Sequence, residues 1–397
     1  MKIHDTLNWK RLTPEGEHHF FGYYDRCPWN RDNTKHLCLH VNQCERLPEP
    51  RETAEVGYAP RGGGFVKLTE TRAWCHQQGS MTLWLQHKPD TFIYNDYDAE
   101  AQRIVTRIYE LGKGVTGVYE RPIYAMSPDG HWGVSLDFCR IPRRGYSYAD
   151  AALSDERHPS LDEDGIFLVD LHTGRDKRIV SYRQMLVLHP VPYELDDHYW
   201  WLNHAIFNSD SSKLLFLFRH CADPLHPSPW KTHMYTVDLD GGNLSCPLPH
   251  FYWKGMISHQ IWGRTPHEVL IDANWRGTGS DYVVFDDREL PLRANLISSG
   301  LGPMGHLIFS PDGNWMLADT YPKEGFQTLA LVNVATGACN VIGRFRHQQP
   351  TGCPVDVRCD LHPRWSGDGS LITVDTIHDR ERALFLLETR EASRGGQ

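Results

Sequence analysis

The sequence lacks an apolar run of about 18 residues, the length that a transmembrane helix requires. Its first residues also lack the apolar segment of a signal peptide, so the chain as written is expected to be cytoplasmic, and periplasmic or secreted if a leader was trimmed. An excess of positive charge is missing as well, because the formal net charge is −9. We therefore expect no membrane partner and no nucleic acid held by bulk charge.

Cysteine is sparse, and the common nucleotide and nucleophile motifs are absent. Ten cysteines in 397 residues show no dense disulfide framework, which predicts free thiols. The sequence contains no G-x-x-x-x-G-K-[ST] loop and no G-x-S-x-G elbow, and no helix signal follows its glycine run at 62–64. These absences predict that no nucleotide or organic cofactor is bound.

A recurring hairpin signal is present instead. Residues 305–322 place two short apolar runs around the turn Ser310-Pro311-Asp312-Gly313, a pattern typical of a β-hairpin. Similar segments recur along the chain, beginning near residues 24, 80, 124, 204, 259, 306 and 362. The copies led by histidine are spaced by roughly 50 residues, which is close to the period of propeller blades.

This repeat predicts an all-β fold, a seven-bladed β-propeller that residues 1–397 form as a single domain. Third strands are predicted at 166–170, 234–238 and 329–333, a short helix between 182 and 195, and ring closure by N-terminal residues beside 384–387. Long loops are predicted near 41–72 and near 139–163. The alternative is an eight-bladed propeller with residues 165–200 as the extra blade, while the regular spacing disfavours an array of β-sandwiches.

The first strands of propeller blades line the central channel, so the residues that begin them should meet at one mouth. Such a concentration of hydrogen-bonding side chains at a concave surface indicates a binding site. The residues that begin first strands are Tyr124, His204, His259, His306 and His362. Residues that end second strands share this face, and with His204 we expect them to bind substrate: Arg219, Tyr321 and His378.

The spacing of Cys359 and His362 is that of metal ligands, and imidazole with thiolate suits a zinc-like divalent ion. We therefore predict a metal site formed by His259, His306, Cys359 and His362. Each histidine is also explained as a staple that bonds the backbone of a neighbouring blade, and the cysteine as a buried free thiol.

Several segments together resemble the β-propeller polysaccharide lyases of the ulvan lyase group and, more distantly, oligogalacturonate lyases. They are HHFFGYYDRCPW, RAWCHQQG, RPIYAMSPDG, RRGYSY, GHLIFSPDGNWMLADTYP and RCDLHPRWSGDG, and the likeness runs from about His18 to Phe385. The resemblance implies two histidines, a tyrosine and an arginine at the channel mouth. The best matches to these catalytic residues are His19 (or His18), His40, Tyr124 and Arg140. It also implies a metal, mainly structural, held by histidine and cysteine.

The resulting hypothesis is a lyase that cleaves a uronic-acid-containing, ulvan-like anionic polysaccharide by β-elimination. Arg140 would pair the uronate carboxylate, His40 or His19 would act as base, and Tyr124 would be the proton donor. The loop after Arg140 would line sugar subsites through Arg143, Arg144, Tyr146 and Tyr148. Two alternatives stay open: a non-catalytic propeller that binds carbohydrate or protein, and a metal-dependent hydrolase that uses the four channel histidines.

Overall fold

The structure is a computed structural model that describes residues 2–3, 7–189, 195–255, 257–277, 279–289, 291–302, 305–378 and 380–390. Across these residues, seven small sheets are arranged as the blades of a propeller, which confirms the predicted seven-bladed fold. Each blade is a four-stranded antiparallel sheet whose first strand lies innermost, and blade 6 carries a fifth strand that pairs in parallel. None of the described helices is long and apolar enough to cross a membrane.

The first three blades contain strands β3 to β14. Blade 1 consists of β3 (His18–Phe20), β4 (Lys35–Val41), β5 (Ala54–Pro60) and β6 (Val66–Thr71). Blade 2 consists of β7 (Leu83–Trp84), β8 (Thr91–Asp98), β9 (Arg103–Glu110) and β10 (Gly114–Tyr119). Blade 3 consists of β11 (Ala125–Met126), β12 (Trp132–Ser135), β13 (Gly165–Asp170) and β14 (Asp176–Ser181).

Blades 4 to 7 contain the remaining strands. Blade 4 consists of β15 (Tyr199–Phe207), β16 (Lys213–Cys221), β17 (Lys231–Asp238) and β18 (Ser245–Leu248). Blade 5 consists of β19 (Ile257–Trp262), β20 (Glu268–Ala273), β21 (Asp281–Asp286) and β22 (Ala294–Ser299). Blade 6 consists of β23 (Leu307–Phe309), β24 (Trp315–Asp319), β25 (Phe326–Asn333), β26 (Cys339–Arg346) and β1 (Lys2–Ile3). Blade 7 consists of β27 (Arg364–Trp365), β28 (Leu371–Thr376), β29 (Ala383–Glu388) and β2 (Lys10–Arg11).

The ring closes through the N-terminal part of the chain, as predicted. Lys10 and Arg11 pair antiparallel with Leu386 and Phe385, so β2 is the outer strand of blade 7. Such closure leaves no open edge between the first and the last blade, which is how propellers protect their strand edges.

Two predicted details are wrong. The predicted loop near 41–72 contains two strands, because 54–60 and 66–71 form the outer half of blade 1. Residues 165–200 do not form an eighth blade, because 165–170 and 176–181 complete blade 3. The structure describes a short helix in the predicted stretch, α1 (Tyr182–Leu188), which Ser181 caps together with Gln184.

Three short 3-10 helices and one long connection complete the described part of the chain. The 3-10 helices are Phe138–Arg140, His250–Gly255 and Val355–Val357. Residues 141–164 connect the second and third strands of blade 3 without forming a strand.

Candidate active site in the central channel

The channel opens into a cavity of about 360 Å³, a size that suits a small organic ligand. Its lining comes mainly from blades 3 to 7 and from the segments that precede them. Five of the predicted substrate-binding residues line it, namely Arg144, Tyr146, His204, Arg219 and Tyr321. Further lining residues include Tyr23, Gln78, Asn203, Trp230, Trp253, His259, Gln260, His306, Asp356, Arg358 and Asp360.

The channel histidines occupy one repeated position. His204, His259, His306 and His362 each lie three residues before the aromatic residue that ends an inner strand. Three of them have left-handed backbones, with φ of 54° at His204, 54° at His259 and 43° at His362. The strand pairing slips beside His204 and His259, as expected of a bulge that redirects a side chain. The fold therefore turns these rings into the channel.

Three of these rings form a compact cluster. The ring centroid of His306 lies 4.0 Å from that of His259 and 4.3 Å from that of His362. His204 lies further along the wall, where its Nε2 is 2.5 Å from the carbonyl oxygen of Gln260. The prediction that His259, His306 and His362 converge is confirmed by these distances.

A buried carboxylate orients the cluster. Asp319, at the end of β24, accepts hydrogen bonds from the backbone amides of His306 (2.5 Å) and His362 (3.1 Å). Nδ1 of His306 also lies 3.1 Å from both Asp319 oxygens, so Nε2 is the nitrogen left for a ligand. Gly305 makes this approach possible, because a Cβ there would lie 2.0 Å from the Asp319 carbonyl oxygen.

Asp360, and not the predicted ligand Cys359, lies beside the histidines. Cys359 is buried against Cys44 and Ile377, away from the histidines, so its assignment as a metal ligand is wrong. Asp360 lies two residues before His362. One ligand atom each from His306, Asp360 and His362 lie within 4.8 Å of one another.

These three side chains fit a divalent metal ion. Nε2 of His362 is buried and has no hydrogen-bond partner among the described residues, as expected of a nitrogen that awaits a ligand. Two imidazoles and one carboxylate suit first-row divalent ions, including manganese and zinc. Arg358 holds the Asp360 carboxylate at 2.5 and 2.9 Å and so orients it.

His259 and Tyr321 form a hydrogen-bonded pair beside this triad. The Tyr321 hydroxyl lies 3.1 Å from Nε2 of His259, and Nδ1 of His259 is buried without a partner in the described chain. Burial, followed by the nearby His306 and His204, lowers the pKa of His259 well below its usual value, so the ring is neutral near pH 7. Burial raises the pKa of Tyr321, which therefore stays protonated.

Positive charge in the cavity comes from three arginines. Arg144 is paired with Asp356 at 2.7 Å, and Arg358 is paired with Asp360. Arg219 makes no ion pair with any described residue, and its guanidinium carbon lies 5.6 Å from the ring centroid of Trp230. Arg219 is therefore the cation best placed to attract an anionic ligand.

Several buried polar atoms of the lining also lack a hydrogen-bond partner in the described part of the chain. They belong to blades 4 and 5, to the segment before blade 2 and to the long connection of blade 3: Asn203 Oδ1, Arg219 Nε, Gln260 Nε2, Gln78 Oε1 and Tyr146 Oη. Buried polar groups are normally satisfied, so this concentration indicates a polar ligand rather than an apolar one.

The floor of the site is formed by a segment that the sequence analysis assigned to an inner strand. Blade 1 begins at His18, not near 24, and the chain after β3 enters the channel. The Tyr23 ring lies 5.6, 6.0 and 5.2 Å from those of His204, His306 and His362. The sequence pattern misplaced this segment, because pairing with the second strand resumes only after it, at an isolated bridge between Trp29 and His36.

Of the predicted catalytic residues, the structure brings together only His19 and His40, at a distance from the central cavity. His19 and His40 are cross-strand neighbours in blade 1, with ring centroids 5.0 Å apart, and they bond Glu17 and Glu55. Neither belongs to the described lining of the central cavity.

Arg140 and Tyr124 are engaged elsewhere. The Arg140 guanidinium is buried and donates to the carbonyl oxygens of Trp200 (2.9 Å) and Arg157 (2.9 Å), so no free edge is left for a carboxylate. The Tyr124 hydroxyl is buried and accepts a hydrogen bond from Gln78 at 2.8 Å. Tyr124 thus supports a cavity residue, and the predicted convergence of Tyr124, Arg140 and His40 is wrong.

Three predicted substrate-binding residues also lie outside the described lining. Arg143 donates to the carbonyl oxygen of Pro48. The ring of Tyr148 stacks on Phe138 at 4.8 Å, and His378 accepts the amide hydrogen of Arg346 at 2.9 Å.

The chain matches no protein-family model and no curated protein. Among solved structures it is similar to an oligogalacturonate lyase in complex with manganese, with a TM-score of 0.62 and 18% identity over 96% of this chain and 93% of that one. It is also similar to an oligogalacturonate lyase from Vibrio parahaemolyticus, with a TM-score of 0.60 and 15% identity over 98% and 95% of the chains. The tricorn protease matches 96% of this chain with 35% of its own length, at a TM-score of 0.54 and 11% identity.

At these identities the likeness establishes the propeller fold alone. The comparisons give no support to the ulvan lyase group in particular.

Proposed function

We propose that this protein is a metal-dependent lyase that cleaves an acidic oligosaccharide or polysaccharide beside a uronate residue, by β-elimination. The observation that carries the proposal is the convergence at one cavity of three features: a neutral histidine beside a tyrosine hydroxyl, an arginine that forms no ion pair with any described residue, and a His-Asp-His triad whose His306 and Asp360 line the cavity. The two oligogalacturonate lyases with the same fold, one of them in complex with manganese, support the reaction class and the metal.

β-Elimination first needs the uronate carboxylate to be neutralised, because only then does the proton on the adjacent carbon become acidic. Arg219 supplies a guanidinium that no described carboxylate engages, and it can bind a carboxylate through two N–H groups. A divalent ion held by His306, Asp360 and His362 would supply Lewis-acid neutralisation of the same carboxylate.

His259 is the candidate base, because its ring is neutral and faces the cavity. It takes the proton from the carbon next to the carboxylate, and the electron pair of that C–H bond becomes the new C=C bond as the glycosidic C–O bond breaks. Tyr321 gives its hydroxyl proton to the departing oxygen and regains one from His259 across their 3.1 Å contact. Atoms and charges balance without water or a redox partner.

Two features favour a lyase over a metal-dependent hydrolase. The base and its tyrosine form a pair that recycles the proton without an added water, and Arg219 is free to pair a uronate carboxylate. A purely binding propeller would not need a neutral histidine hydrogen-bonded to a protonated tyrosine.

The test is a turnover screen on oligogalacturonate, polygalacturonate and ulvan, with and without added manganese. Ulvan is included because the sequence motifs resemble ulvan lyases, and it is the finer substrate proposal. We expect the ultraviolet absorbance of an unsaturated uronate to appear with at least one substrate and to be lost after chelation. New reducing ends without that absorbance would indicate a hydrolase, and binding without product would indicate a binding module.

A further inference from the structure

The wall formed by blades 3 and 4 carries a second cationic group that the elimination does not use. Arg144 and Tyr146 belong to the connection between β12 and β13, and Trp230 directly precedes β17. The segment 355–360, which precedes blade 7 and carries Asp360 of the triad, contacts this wall through Asp356.

Arg144 is held in place with one edge still available. Its Nε donates to Asp356 Oδ1 at 2.7 Å, and its guanidinium carbon lies 4.4 Å from the ring centroid of Trp230. Gly145 allows this arrangement, because a Cβ at that position would lie 2.0 Å from the Asp356 carbonyl oxygen. Arginine has five N–H donors, and the four on the two Nη atoms of Arg144 have no hydrogen-bond partner among the described residues.

The neighbouring groups add to the anion preference of this wall. The Arg219 guanidinium carbon lies 5.6 Å from the same Trp230 ring, so two cations face one indole while Asp356 offsets only one of them. The Tyr146 hydroxyl is a buried donor with no partner in the described chain. A neutral sugar would leave such donors poorly paired, whereas a carboxylate or sulfate can accept several of them at once.

We propose that Arg144, positioned by Asp356 and Trp230 and assisted by Tyr146, binds an anionic group on the sugar next to the cleaved uronate. This inference rests on the proposed function and deepens it, because it names the substrate as a chain with acidic groups on adjacent residues. The shared chemistry is a planar carboxylate or a sulfate ester. A carboxylate corresponds to a uronate homopolymer, and a sulfate to a chain that alternates uronate with a sulfated sugar.

The test measures binding by calorimetry in a His259→Gln background, so that no probe is cleaved. The probes are trigalacturonate, the same trimer with a single free carboxylate and two methyl esters, and a sulfated ulvan tetrasaccharide. The variant is Arg144→Gln. The matched control is Arg72→Gln, since Arg72 is likewise paired with an aspartate, Asp150, and lies 4.5 Å from a ring, that of Tyr97, away from the cavity lining.

We expect the background protein and the Arg72 control to bind one of the fully anionic probes about tenfold more tightly than the methyl-esterified trimer. Arg144→Gln should reduce that difference to about twofold, with binding of the esterified trimer unchanged. The probe that shows the difference identifies carboxylate or sulfate.

A difference that survives in Arg144→Gln overturns the subsite whether or not the protein is a lyase. An equal loss for every probe also overturns it, because Arg144 would then act on the fold or on the cleaved uronate. If no uronate probe binds any variant, the proposed function fails, and the subsite fails with it.

Discussion

Two histidine clusters among the described residues differ in their surroundings, because one borders the central cavity and the other does not. In the channel cluster (His204, His259, His306 and His362), the first three line the cavity, Asp319 orients the ring of His306, and Asp360 lies beside His306 and His362. The blade-four cluster lies outside the described cavity lining and consists of His189, His198, His220, His233 and His250.

The hydrogen bonds of the blade-four cluster run from one histidine to the next. The amide of His250 donates to Nδ1 of His233 at 3.2 Å, so the proton of a neutral His233 lies on Nε2, which faces Nε2 of His220 at 3.3 Å. Nδ1 of His220 in turn lies 2.6 Å from Nδ1 of His198. Nitrogens of His189, His220 and His233 lie within 4.8 Å of one another, but the hydrogen bond from His250 leaves the proton of His233 on Nε2, the nitrogen that faces His220. The channel cluster differs from the blade-four cluster in having a carboxylate and a cavity beside it, and not in its number of imidazoles.

The largest effect is expected when one histidine is removed from each cluster in turn. We expect elemental analysis to find one divalent ion per chain in the wild type, and none in His362→Ala. Turnover of the best uronate substrate should fall by roughly two to four orders of magnitude in that variant, since the carboxylate loses part of its neutralisation.

His233→Gln is the matched change in the blade-four cluster, and it should keep both the ion and the activity. Two ions per chain in the wild type, one of them lost in His233→Gln, would show that both clusters bind metal and that the distinction is wrong.

A smaller effect is expected from the cation of the channel. Arg219→Met keeps most of the side chain's volume but removes the charge, so it should raise KM and lower kcat/KM by about ten- to a hundredfold. Arg344→Met is the control, because Arg344 also lies over a ring, that of Phe326 at 4.3 Å, and is not in the cavity lining. Equal kinetics in the two variants would show that the charge of Arg219 does not contribute to substrate binding.

The blade-four cluster should affect stability rather than turnover. Burial, followed by neighbouring histidines, lowers the pKa of His220 to about 2 and that of His233 to about 2, while the unfolded value is about 6.5. Both rings stay neutral in the folded protein, so their contribution is present above about pH 6.5 and is lost as the pH falls toward 2. Each unit of acidification should cost up to about 1.4 kcal/mol per histidine.

Urea unfolding at pH 7.5 and pH 5.5 tests this prediction. His233→Gln should lower the pH dependence of the unfolding free energy, whereas a change at the exposed His172 should leave it as in the wild type. The same slope in all three proteins would show that blade four does not control acid stability.

The sequence was sufficient for the fold and for half of the site. The spacing of the histidines and the Ser-Pro-Asp-Gly turns predicted the blades and the convergence of His259, His306 and His362. The spacing of Cys359 and His362 predicted the wrong ligand, because Asp360 and not Cys359 lies with His306 and His362.

The remaining errors depend on tertiary structure. The left-handed backbone that turns three histidines into the channel also occurs at Met81, with φ of 55°, in the corresponding position of blade 2. The left-handed conformation is therefore a feature of the fold, and the type of side chain at the position decides whether it can bind a ligand. No residue near Arg140 in the sequence indicates that it donates to the carbonyl oxygens of Trp200 and Arg157. The sequence around Tyr23 likewise does not indicate that the chain leaves blade 1 there and lines the cavity.

The most direct test of the central claim compares two histidine variants on the substrate that the turnover screen identifies. Because the proposed base, His259, belongs to the channel cluster, His259→Gln should lower kcat by roughly two to four orders of magnitude, while His40→Gln should keep most of the activity. Both variants should unfold at wild-type urea concentrations to within the error of the measurement. The opposite result, with activity lost in His40→Gln and retained in His259→Gln, would place catalysis in blade 1 and contradict the account.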